Sequence, residues 1–421
     1  MIGALAASPW ATWGIAAAAT AGVIVRPFSW PEWVWAVTGA ALLVLLGLLS
    51  PADAAAGVAR GLDVYLFLTG MMLLAELARQ EGLFDWLAAQ AARLAHGSGT
   101  RLFTLVFLVG TVVTVFLSND ATAVVLTPAV AAVVKTAKAE KPLPYLLTCA
   151  FIANAASFVL PISNPANLVI YGAHMPPLLQ WLPRYALPSL LSVGATYAVL
   201  RWTQRRDLHD VSAEIEVPEL SGAGRMAAWG IAGTAAVLLA SSFFDIQLGL
   251  PTFLAGAATA VLVLLRSKTG PAVVLKEISW GVLPLVAGLF VLVEALEHTG
   301  VTQRLADLLH GFVEHSATQA AWAAGLVLAF GCNLVNNLPA GLVAGRVAEL
   351  ADLPERVRAA VLIGVDLGPN LSVTGSLATI LWLTALRREG QSVGAWQFLK
   401  LGALVMPPAL LLAIAGALLF G

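Results

Sequence analysis

Residues 104–134 read TLVFLVGTVVTVFLSNDATAVVLTPAVAAVV, which is two apolar arms joined by the polar tip Ser118-Asn119-Asp120. As a helix, the first arm, Thr104–Leu117, would extend roughly 21 Å, whereas the hydrocarbon core of a bilayer is about 30 Å thick. An arm of that length cannot cross the membrane alone. We therefore expect residues 104–134 to form a re-entrant hairpin that enters the membrane and returns to the same side.

Polar interruptions of the same kind recur three times further along the chain. Residues 322–350 repeat the two apolar arms around the tip Asn336-Asn337-Leu338-Pro339 and predict a second hairpin. Residues 146–175 and 359–386 are longer apolar stretches interrupted by Pro and Asn, and we expect them to be broken helices that cross the membrane. Irregular backbone at membrane depth is tolerated only where protein or a wet cavity surrounds it. Four interruptions therefore predict one shared polar site.

The composition of the 421-residue chain is that of a membrane protein. Hydrophobic residues make up 59% of it and charged residues 11%, whereas about 25% of a soluble domain is charged. The net charge of −1 argues against a nucleic-acid-binding surface. Eight further apolar stretches have the length of membrane spans, near residues 10–25, 33–49, 64–78, 185–200, 226–243, 251–265, 280–296 and 401–420. The predicted fold class is an all-α polytopic membrane protein with about ten transmembrane helices, two re-entrant hairpins and two broken helices.

The distribution of Lys and Arg predicts the topology. If the loops 79–101 and 135–142 lie in the cytoplasm, most basic residues do so too, as the positive-inside rule requires. This places both termini outside, in a multi-pass protein of the inner (plasma) membrane. The first apolar run has no basic region before it and is interpreted as a retained span. The polar stretch 203–225 becomes a cytoplasmic linker between an N-terminal half, 1–202, and a C-terminal half, 226–421.

Two segments match each other in the order of their features. Gly70, Glu76 and Gly82 have the same spacing as Gly288, Glu294 and Gly300, and each set precedes an Asn-tipped hairpin and a broken helix. An odd number of crossings separates the two units, so they enter the membrane from opposite sides. This is an inverted repeat, a design of many secondary transporters whose site lies near the midplane. The alternative is chance similarity among Ala- and Leu-rich helices.

Amide and hydroxyl side chains dominate the four interruptions, together with free helix ends. The candidates are Ser118, Asn119, Asp120, Thr122, Ser163, Asn164, Asn167, Asn333, Asn336, Asn337, Asp366, Asn370, Ser372, Thr374, Ser376 and Thr379. No Lys or Arg stands at a tip, so this lining suits a small neutral hydroxylated solute or a cation better than a multivalent anion. The alternative is that the Asn, Ser and Thr side chains only cap half-helices.

The two carboxylates at the interruptions require a stronger explanation than capping. A charged Asp at the bilayer centre costs at least ~2.5–3.5 kcal/mol, so Asp120 and Asp366 are functional candidates by default. Glu76 and Glu294 lie near span ends and are weaker candidates. Cys149 and Cys332 could bind a soft metalloid through sulfur, but buried Cys more often serves packing, and we do not expect them to be ligands. No phosphate-loop motif, metal site or cofactor site is predicted, and the chain is not expected to be an enzyme.

The tips resemble those of a known family. Residues 117–128, LSNDATAVVLTP, resemble the N-D-x-x-x-x-x-L-T-P element of arsenite and antimonite efflux permeases, the ArsB family of the ion-transporter superfamily. Residues 364–382, GVDLGPNLSVTGSLATILW, are similar to a G-x-D-L-G-P element followed by G-S-L-A-T-x-L-W. The tip 336–339, NNLP, and residues 156–167, ASFVLPISNPAN, resemble two further elements, the last less distinctively.

The resemblance implies export of trivalent metalloids in exchange for protons, sometimes with a soluble arsenite-stimulated ATPase docked on the cytoplasmic face. In that hypothesis the substrate-binding residues are Ser118, Asn119, Asn164, Asn167, Asn336, Asn337, Asn370, Thr374 and Ser376. Asp120 and Asp366 would carry the proton. The alternative within the superfamily is a sodium- or proton-coupled transporter of dicarboxylate-like anions, which an Asp at a tip would repel. An uncoupled channel-like facilitator and a scaffolding membrane protein are the rivals from other classes.

Overall fold

A computed structural model describes residues 9–172, 175–267 and 270–419, and all regular secondary structure in these ranges is helical. The helices of the first half are α1 Pro9–Val25, α2 Glu32–Leu45, α3 Pro51–Arg60, α4 Leu62–Gln80, α5 Leu83–Leu94, α6 Gly99–Phe116, α7 Asn119–Ala121, α8 Thr127–Thr136, α9 Leu143–Ala155, α10 Pro165–Tyr171 and α11 Leu178–Gln204. A π-helical turn, Thr122–Leu126, joins α7 to α8, and a 3₁₀ turn, Pro161–Ser163, precedes α10. Another 3₁₀ turn, Pro27–Ser29, follows α1.

The second half has the same order of elements. Its helices are α12 Gly222–Phe243, α13 Gly249–Leu264, α14 Pro271–Glu277, α15 Val282–His298, α16 Val301–His315, α17 Ala317–Val335, α18 Asn337–Leu350, α19 Glu355–Leu367, α20 Leu377–Arg388 and α21 Ala395–Leu419, with a 3₁₀ turn Gly368–Asn370 after α19. Within the described ranges, five helical segments are long and apolar enough to cross a membrane, or six if the bent pair α3 and α4 counts as one span. The chain is therefore a helical polytopic membrane protein, as predicted.

The two hairpins return to the face from which they start, but their first arms are longer than we expected. The arms are α6, with 18 residues, and α17, with 19 residues, and both are long enough to span a bilayer. The expectation that the first arm of each hairpin is too short to cross the membrane was therefore wrong. The helices are longer because they begin before the apolar residues do. Ser98 and Ser316 cap them by accepting hydrogen bonds from Arg101 N and Gln319 N, so each helix starts with polar residues that precede the apolar arm.

Contacts at the open ends show the hairpin shape directly. Neighbouring residues Val211 and Ser212 donate backbone hydrogen bonds to Gly97 O and Ala137 O, each at 2.8 Å, so the two ends of the first hairpin lie at one face. We call this the linker face, since residues 205–221, between α11 and α12, lie there. The second hairpin opens to the other face, which we call the far face. There the His310 ring, before α17, contacts Ala351 O, after α18, at 3.2 Å.

Reciprocal packing relates the two halves. Gly288 of α15 lies against the Ala36 backbone of α2, and Gly70 of α4 lies against the Thr252 backbone of α13, both so closely that no side chain would fit. Each half thus contributes one helix to each pair. The equivalent helices α4 and α15 run in opposite directions, because Tyr65 at the start of α4 contacts Phe290 while Arg79 near its end approaches Glu277, which precedes α15. In an inverted repeat, equivalent helices of the two halves run in opposite directions, as these two do.

Candidate functional site

The two broken helices meet through a single side-chain hydrogen bond. Asn164 lies immediately after the 3₁₀ turn of the first break, where its Oδ1 caps α10 by accepting from Ala166 N at 3.0 Å. Its Nδ2 donates to Asp366 Oδ1, in the last turn of α19, at 2.8 Å. Asp366 has no solvent-exposed surface. Its Oδ2 has no hydrogen bond of normal geometry to any residue that the structure describes, although the Ser157 side chain also interacts with this carboxyl group.

The first hairpin tip is tied to the first break. Ser163, in the break, donates from Oγ to Val115 O near the end of α6 at 3.1 Å. Beyond the turn, Ser118 caps the return arm by accepting from Ala121 N, and Asn119 Oδ1 accepts from Asp120 N. Asp120 is half-buried, while Ser118 and Asn119 are buried. Asp120 therefore lies at the N-terminal end of a helical return arm, where the helix dipole favours a negative charge.

The second hairpin tip is tied to the second break in a different way. Asn336 has a positive φ of 73° and donates from Nδ2 to Thr374 O at 3.2 Å. Asn337 N donates to Gly375 O at 2.8 Å. Thr374 Oγ1 in turn donates to Asn333 O at 2.8 Å, and Ser372 Oγ donates to Asn333 Oδ1 at 2.7 Å. The tip and the segment after the break thus form one hydrogen-bonded unit.

Asn154 joins the two broken helices a second time, and sequence reasoning missed it. Its Nδ2 donates to Asn370 Oδ1 at 3.0 Å, and its Oδ1 accepts from Ser376 Oγ at 3.3 Å. Asn370 Nδ2 donates to Phe151 O at 3.0 Å, one turn earlier in α9. The signal was present, because Asn154 is an isolated amide in a stretch of α9 that is otherwise apolar over two turns. A buried amide in such a stretch must find partners on another element.

Two of the predicted binding residues hold the backbone in place. Asn167 donates from Nδ2 to the carbonyls of Ser157, Leu160 and Pro161, and so fixes the loop of the first break. Ser376 caps α20 by accepting from Thr379 N at 3.1 Å. For these side chains the capping interpretation has direct geometric support, whereas Asn164 caps α10 through its Oδ1 and also donates from its Nδ2 to the buried Asp366 of the other half.

The charged and thiol candidates separate into distinct places. Asp120 and Asp366 lie on different elements, and the structure records no hydrogen bond between their side chains. Glu76 bonds Arg79 on its own helix at 2.6 Å, and Glu294 pairs with Arg60 at 2.6 Å, so neither Glu belongs to the interruptions. Cys149 and Cys332 are fully buried, and Cys332 Sγ lies 3.8 Å from the Val365 carbonyl oxygen.

No Lys or Arg side chain bonds to the amides and hydroxyls of the four interruptions among the residues that the structure describes. Hydrogen bonds instead connect each hairpin tip to a break and the two breaks to each other. The arrangement presents neutral donors and acceptors around one fully buried carboxyl group. Amide, hydroxyl and carboxyl groups are the donors and acceptors that complement a small hydroxylated solute, and a carboxyl group is one that can also titrate.

Comparison with known proteins agrees with this fold. The chain is 27% identical over 359 residues to the arsenical pump membrane protein of Yersinia enterocolitica, which covers 82% of this chain and 83% of that protein. It is 25% identical over 394 residues to the arsenical pump membrane protein of Escherichia coli (strain K12), covering 90% of this chain and 92% of that protein. These similarities confirm the predicted resemblance to arsenite efflux permeases.

Solved structures of membrane transporters share the fold. The YdaH transporter of Alcanivorax borkumensis superposes with a TM-score of 0.56 at 18% identity, over 92% of this chain and 96% of that one. The antimetabolite efflux pump MtrF of Neisseria gonorrhoeae gives a TM-score of 0.53 at 14% identity, over 89% of this chain and 83% of that one. The family model described as citrate transporter matches residues 20–369. Because that match covers most of the sequence, the chain belongs to the citrate transporter family.

Proposed function

We propose that the chain exports arsenite and antimonite, as trivalent metalloid hydroxides, in exchange for protons, and so confers resistance to arsenic. The observation that carries this proposal is the buried Asp366 carboxyl group, which Asn164 of the other half bonds at one oxygen only. The arsenical pump relatives support the substrate class. The division into halves 1–202 and 226–421, with 203–225 as a cytoplasmic linker, is part of the same proposal.

The chemistry of the interruptions favours a neutral hydroxide over a carboxylate substrate. A metalloid hydroxide presents O–H groups and oxygen lone pairs, which match the amides of Asn164 and Asn336 and the carboxyl group of Asp366. A citrate-like anion would need cationic partners, and it would meet two carboxyl groups instead. The sodium- or proton-coupled anion transporter remains the second candidate, because the matching family model is described as citrate transporter.

In the proposed coupling, protonation of the carboxyl groups reduces their capacity to accept hydrogen bonds from the solute. When Asp366 is ionised, both its oxygens accept hydrogen bonds and hold the hydroxyl groups of the solute. A proton that arrives from outside neutralises the group, removes acceptor capacity and weakens the hold on the solute. Loss of that proton to the cytoplasm restores the acceptors. Asp120, at the hairpin tip, would act in the same cycle as the carboxyl group closer to solvent.

Transport in everted membrane vesicles tests the proposal. A proton gradient with an acidic vesicle lumen should drive accumulation of arsenite and antimonite in vesicles that contain the chain. The lumen of an everted vesicle corresponds to the outside of the cell, so this gradient is the inward gradient of the intact cell. Sodium-dependent uptake of citrate without arsenite accumulation would support the anion transporter instead. Equilibration that ignores both gradients would support an uncoupled facilitator. The same vesicles with an added arsenite-stimulated ATPase and ATP would test the proposed soluble partner on the cytoplasmic face.

A further inference from the structure

A cavity of about 1250 Å³ lies outside the candidate site, at the far face. Most of its walls come from two groups of helices, and the ends of α3 and α12 complete them. The first group is α4, α13 and α15, which form the reciprocal pairs between the halves, and the second group is α10, α18 and α19, which carry the breaks and the second hairpin. The cavity thus follows the seam between the two groups. The residues of the candidate site do not line it.

The walls of the cavity are largely apolar and continue onto the outer surface of the membrane helices. Leu62, Leu250 and Leu254 line the cavity, yet each is more than half exposed, at 61%, 54% and 57%. Ile246 and Val237, on the same side, are exposed as well. An apolar side chain that is exposed on a membrane helix faces lipid chains. We infer from these exposed side chains that the cavity opens sideways toward the hydrocarbon region of the bilayer.

Every charged residue of the lining stands in a terminal turn of its helix or just beside one. They are Arg60, Asp63, Glu294, Arg346, Glu349 and Arg358. Since these helix ends meet at the far face, the charged residues form a rim at one end of the cavity. The apolar walls extend from that rim toward the interior of the membrane. A charged rim above an apolar pocket that opens sideways matches the shape of an amphiphile.

Most of the rim charges neutralise one another. Arg60 pairs with Glu294 at 2.6 Å, and Arg346 pairs with Glu349 at 2.6 Å and with Glu297. Next to the rim, Arg184 pairs with Glu355, also at 2.6 Å.

Two charged residues of the rim, Arg358 and Asp63 on opposite walls of the cavity, do not form such ion pairs. Arg358 stacks over the Tyr171 ring at 5.7 Å and has no carboxylate within 4 Å among the residues described. Asp63 accepts a hydrogen bond from Gly249 N at 2.7 Å and likewise has no cationic partner in the described part of the chain. One positive and one negative group therefore face the cavity without an ionic partner.

We propose that this cavity binds a zwitterionic phospholipid with a primary ammonium group, of the phosphatidylethanolamine type. The phosphate group interacts with Arg358, the ammonium group with Asp63, and an acyl chain lies along Leu250 and Leu254. A purely anionic lipid would satisfy Arg358 but would meet the carboxylate of Asp63. A choline head group carries the same charges but has no N–H donor for Asp63.

Lipid binding to the full-length protein in detergent tests this proposal without any transport assay. Phosphatidylethanolamine, phosphatidylcholine and phosphatidylglycerol with identical acyl chains are added one at a time, and retained lipid is counted by native mass spectrometry. Thermal unfolding is followed in parallel. Phosphatidylethanolamine should be retained most and should raise the unfolding temperature most, since a ligand that binds only the folded state stabilises it. Preferential retention of phosphatidylglycerol, or equal retention of all three, would overturn the proposal.

Two substitutions separate the parts of the head-group site. Arg358→Gln should lower retention of all three lipids. Asp63→Asn can still accept from Gly249 N, and it should remove only the advantage of phosphatidylethanolamine over phosphatidylcholine. Arg304→Gln is the matched control, because Arg304 is exposed on α16 and does not line the cavity. Unchanged lipid selectivity in both test variants would refute the assignment. An Arg358-dependent stabilisation by arsenite or citrate alone would make the cavity a solute path and refute it too.

Discussion

The Nδ2 atom of Asn164 lies 2.8 Å from a carboxylate oxygen of Asp366, and this hydrogen bond joins residues that are 202 positions apart in the sequence. Each residue lies at the interruption of a broken helix, one in each half of the chain. The side-chain oxygen of Asn164 caps α10, and its side-chain nitrogen donates the hydrogen bond to Asp366. The other oxygen of Asp366 has no hydrogen bond of normal geometry in the described part of the chain, and in the proposed cycle this carboxyl group takes up and releases the proton.

Replacement of the carboxyl groups should uncouple transport from the proton gradient. Asp366→Asn keeps the size of the side chain and an oxygen that can accept from Asn164, but it cannot release a proton. We expect gradient-driven accumulation of arsenite in everted vesicles to fall to the background of vesicles without the protein, while arsenite binding or exchange can persist. Asp120→Asn should have the same effect on accumulation.

The control for both variants is Asp352→Asn, in the exposed turn between α18 and α19. Asp352 has a positive φ of 45°, which Asn accepts readily, so this variant should fold and transport normally. Amounts of protein in the membrane are compared by immunoblot. Uphill export by both carboxyl variants with the pH dependence of the unmodified protein would transfer the coupling role to Glu76 or Glu294.

Asn164→Asp should make transport depend on acid. The new carboxylate can still cap α10, but it places two carboxyl groups at hydrogen-bond distance, and two such groups cannot both ionise without strong repulsion. At neutral pH we expect export well below that of the unmodified protein. As the pH falls, one of the two groups takes up a proton and donates the missing hydrogen bond, so activity should partly return.

Initial rates measured across a series of pH values, with the proton gradient held constant, check this expectation. Asn164→Ala supplies the comparison, because it loses both the cap and the donor and has no group that protonation could restore. Equal pH profiles for the Asp and Ala variants would show that Asn164 does not act through Asp366.

The amide network around Asn154 should contribute to stability as a unit. Asn154→Ala leaves partners on Asn370 and Ser376 unsatisfied in a buried place, which costs about 1–3 kcal/mol. Asn370→Ala breaks the same network from the other side. The two losses should therefore not add, and the double variant should be more stable than their sum by at least about 0.5 kcal/mol.

Denaturant unfolding in detergent of the single and double variants measures this coupling. Gln303→Ala, which removes an exposed amide on α16, should change stability little. Additive losses within error would mean that Asn154 and Asn370 act independently, contrary to the hydrogen bond between them.

Much of the architecture could be predicted from the sequence, because the bilayer dictates span length and forbids exposed irregular backbone. The interruptions at Asn119, Asn164, Asn336 and Asp366 lie where Asn, Pro and Asp interrupt apolar runs. The lengths of α6 and α17 could not be predicted from apolar residues alone, because polar helix starts at Ser98 and Ser316 add a turn that hydropathy does not count. Asn154 was missed although it is an isolated amide in an apolar stretch of α9, since that pattern predicts a partner on another element but does not say that the partner comes from the other half.

Replacement of both cysteines should leave arsenite resistance intact. Cys149 and Cys332 have no exposed surface, and capture of the metalloid by thiolates would slow its release in each cycle. A Cys149→Ser, Cys332→Ser variant is compared with the corresponding double Ala variant, so that a buried hydroxyl group is not mistaken for a lost ligand. Growth of cells on arsenite, normalised to protein amount, is the measurement. Loss of resistance in both well-expressed variants would show that sulfur binds the substrate.

The cysteine-free protein also allows the predicted orientation, with both termini outside, to be tested. The linker face and the far face lie at opposite ends of α4, because Ser221 of the linker bonds Glu81 just after α4, whereas Arg60 just before α4 pairs with Glu297, which also pairs with Arg346 of α18. Glu140→Cys places a single thiol on the exposed loop between α8 and α9, and Arg304→Cys places one on the exposed side of α16. A membrane-impermeant maleimide added to intact cells should label only the position-304 variant. Everted vesicles should give the reverse pattern, and permeabilised cells should label both. Labelling of position 140 from outside would invert the topology.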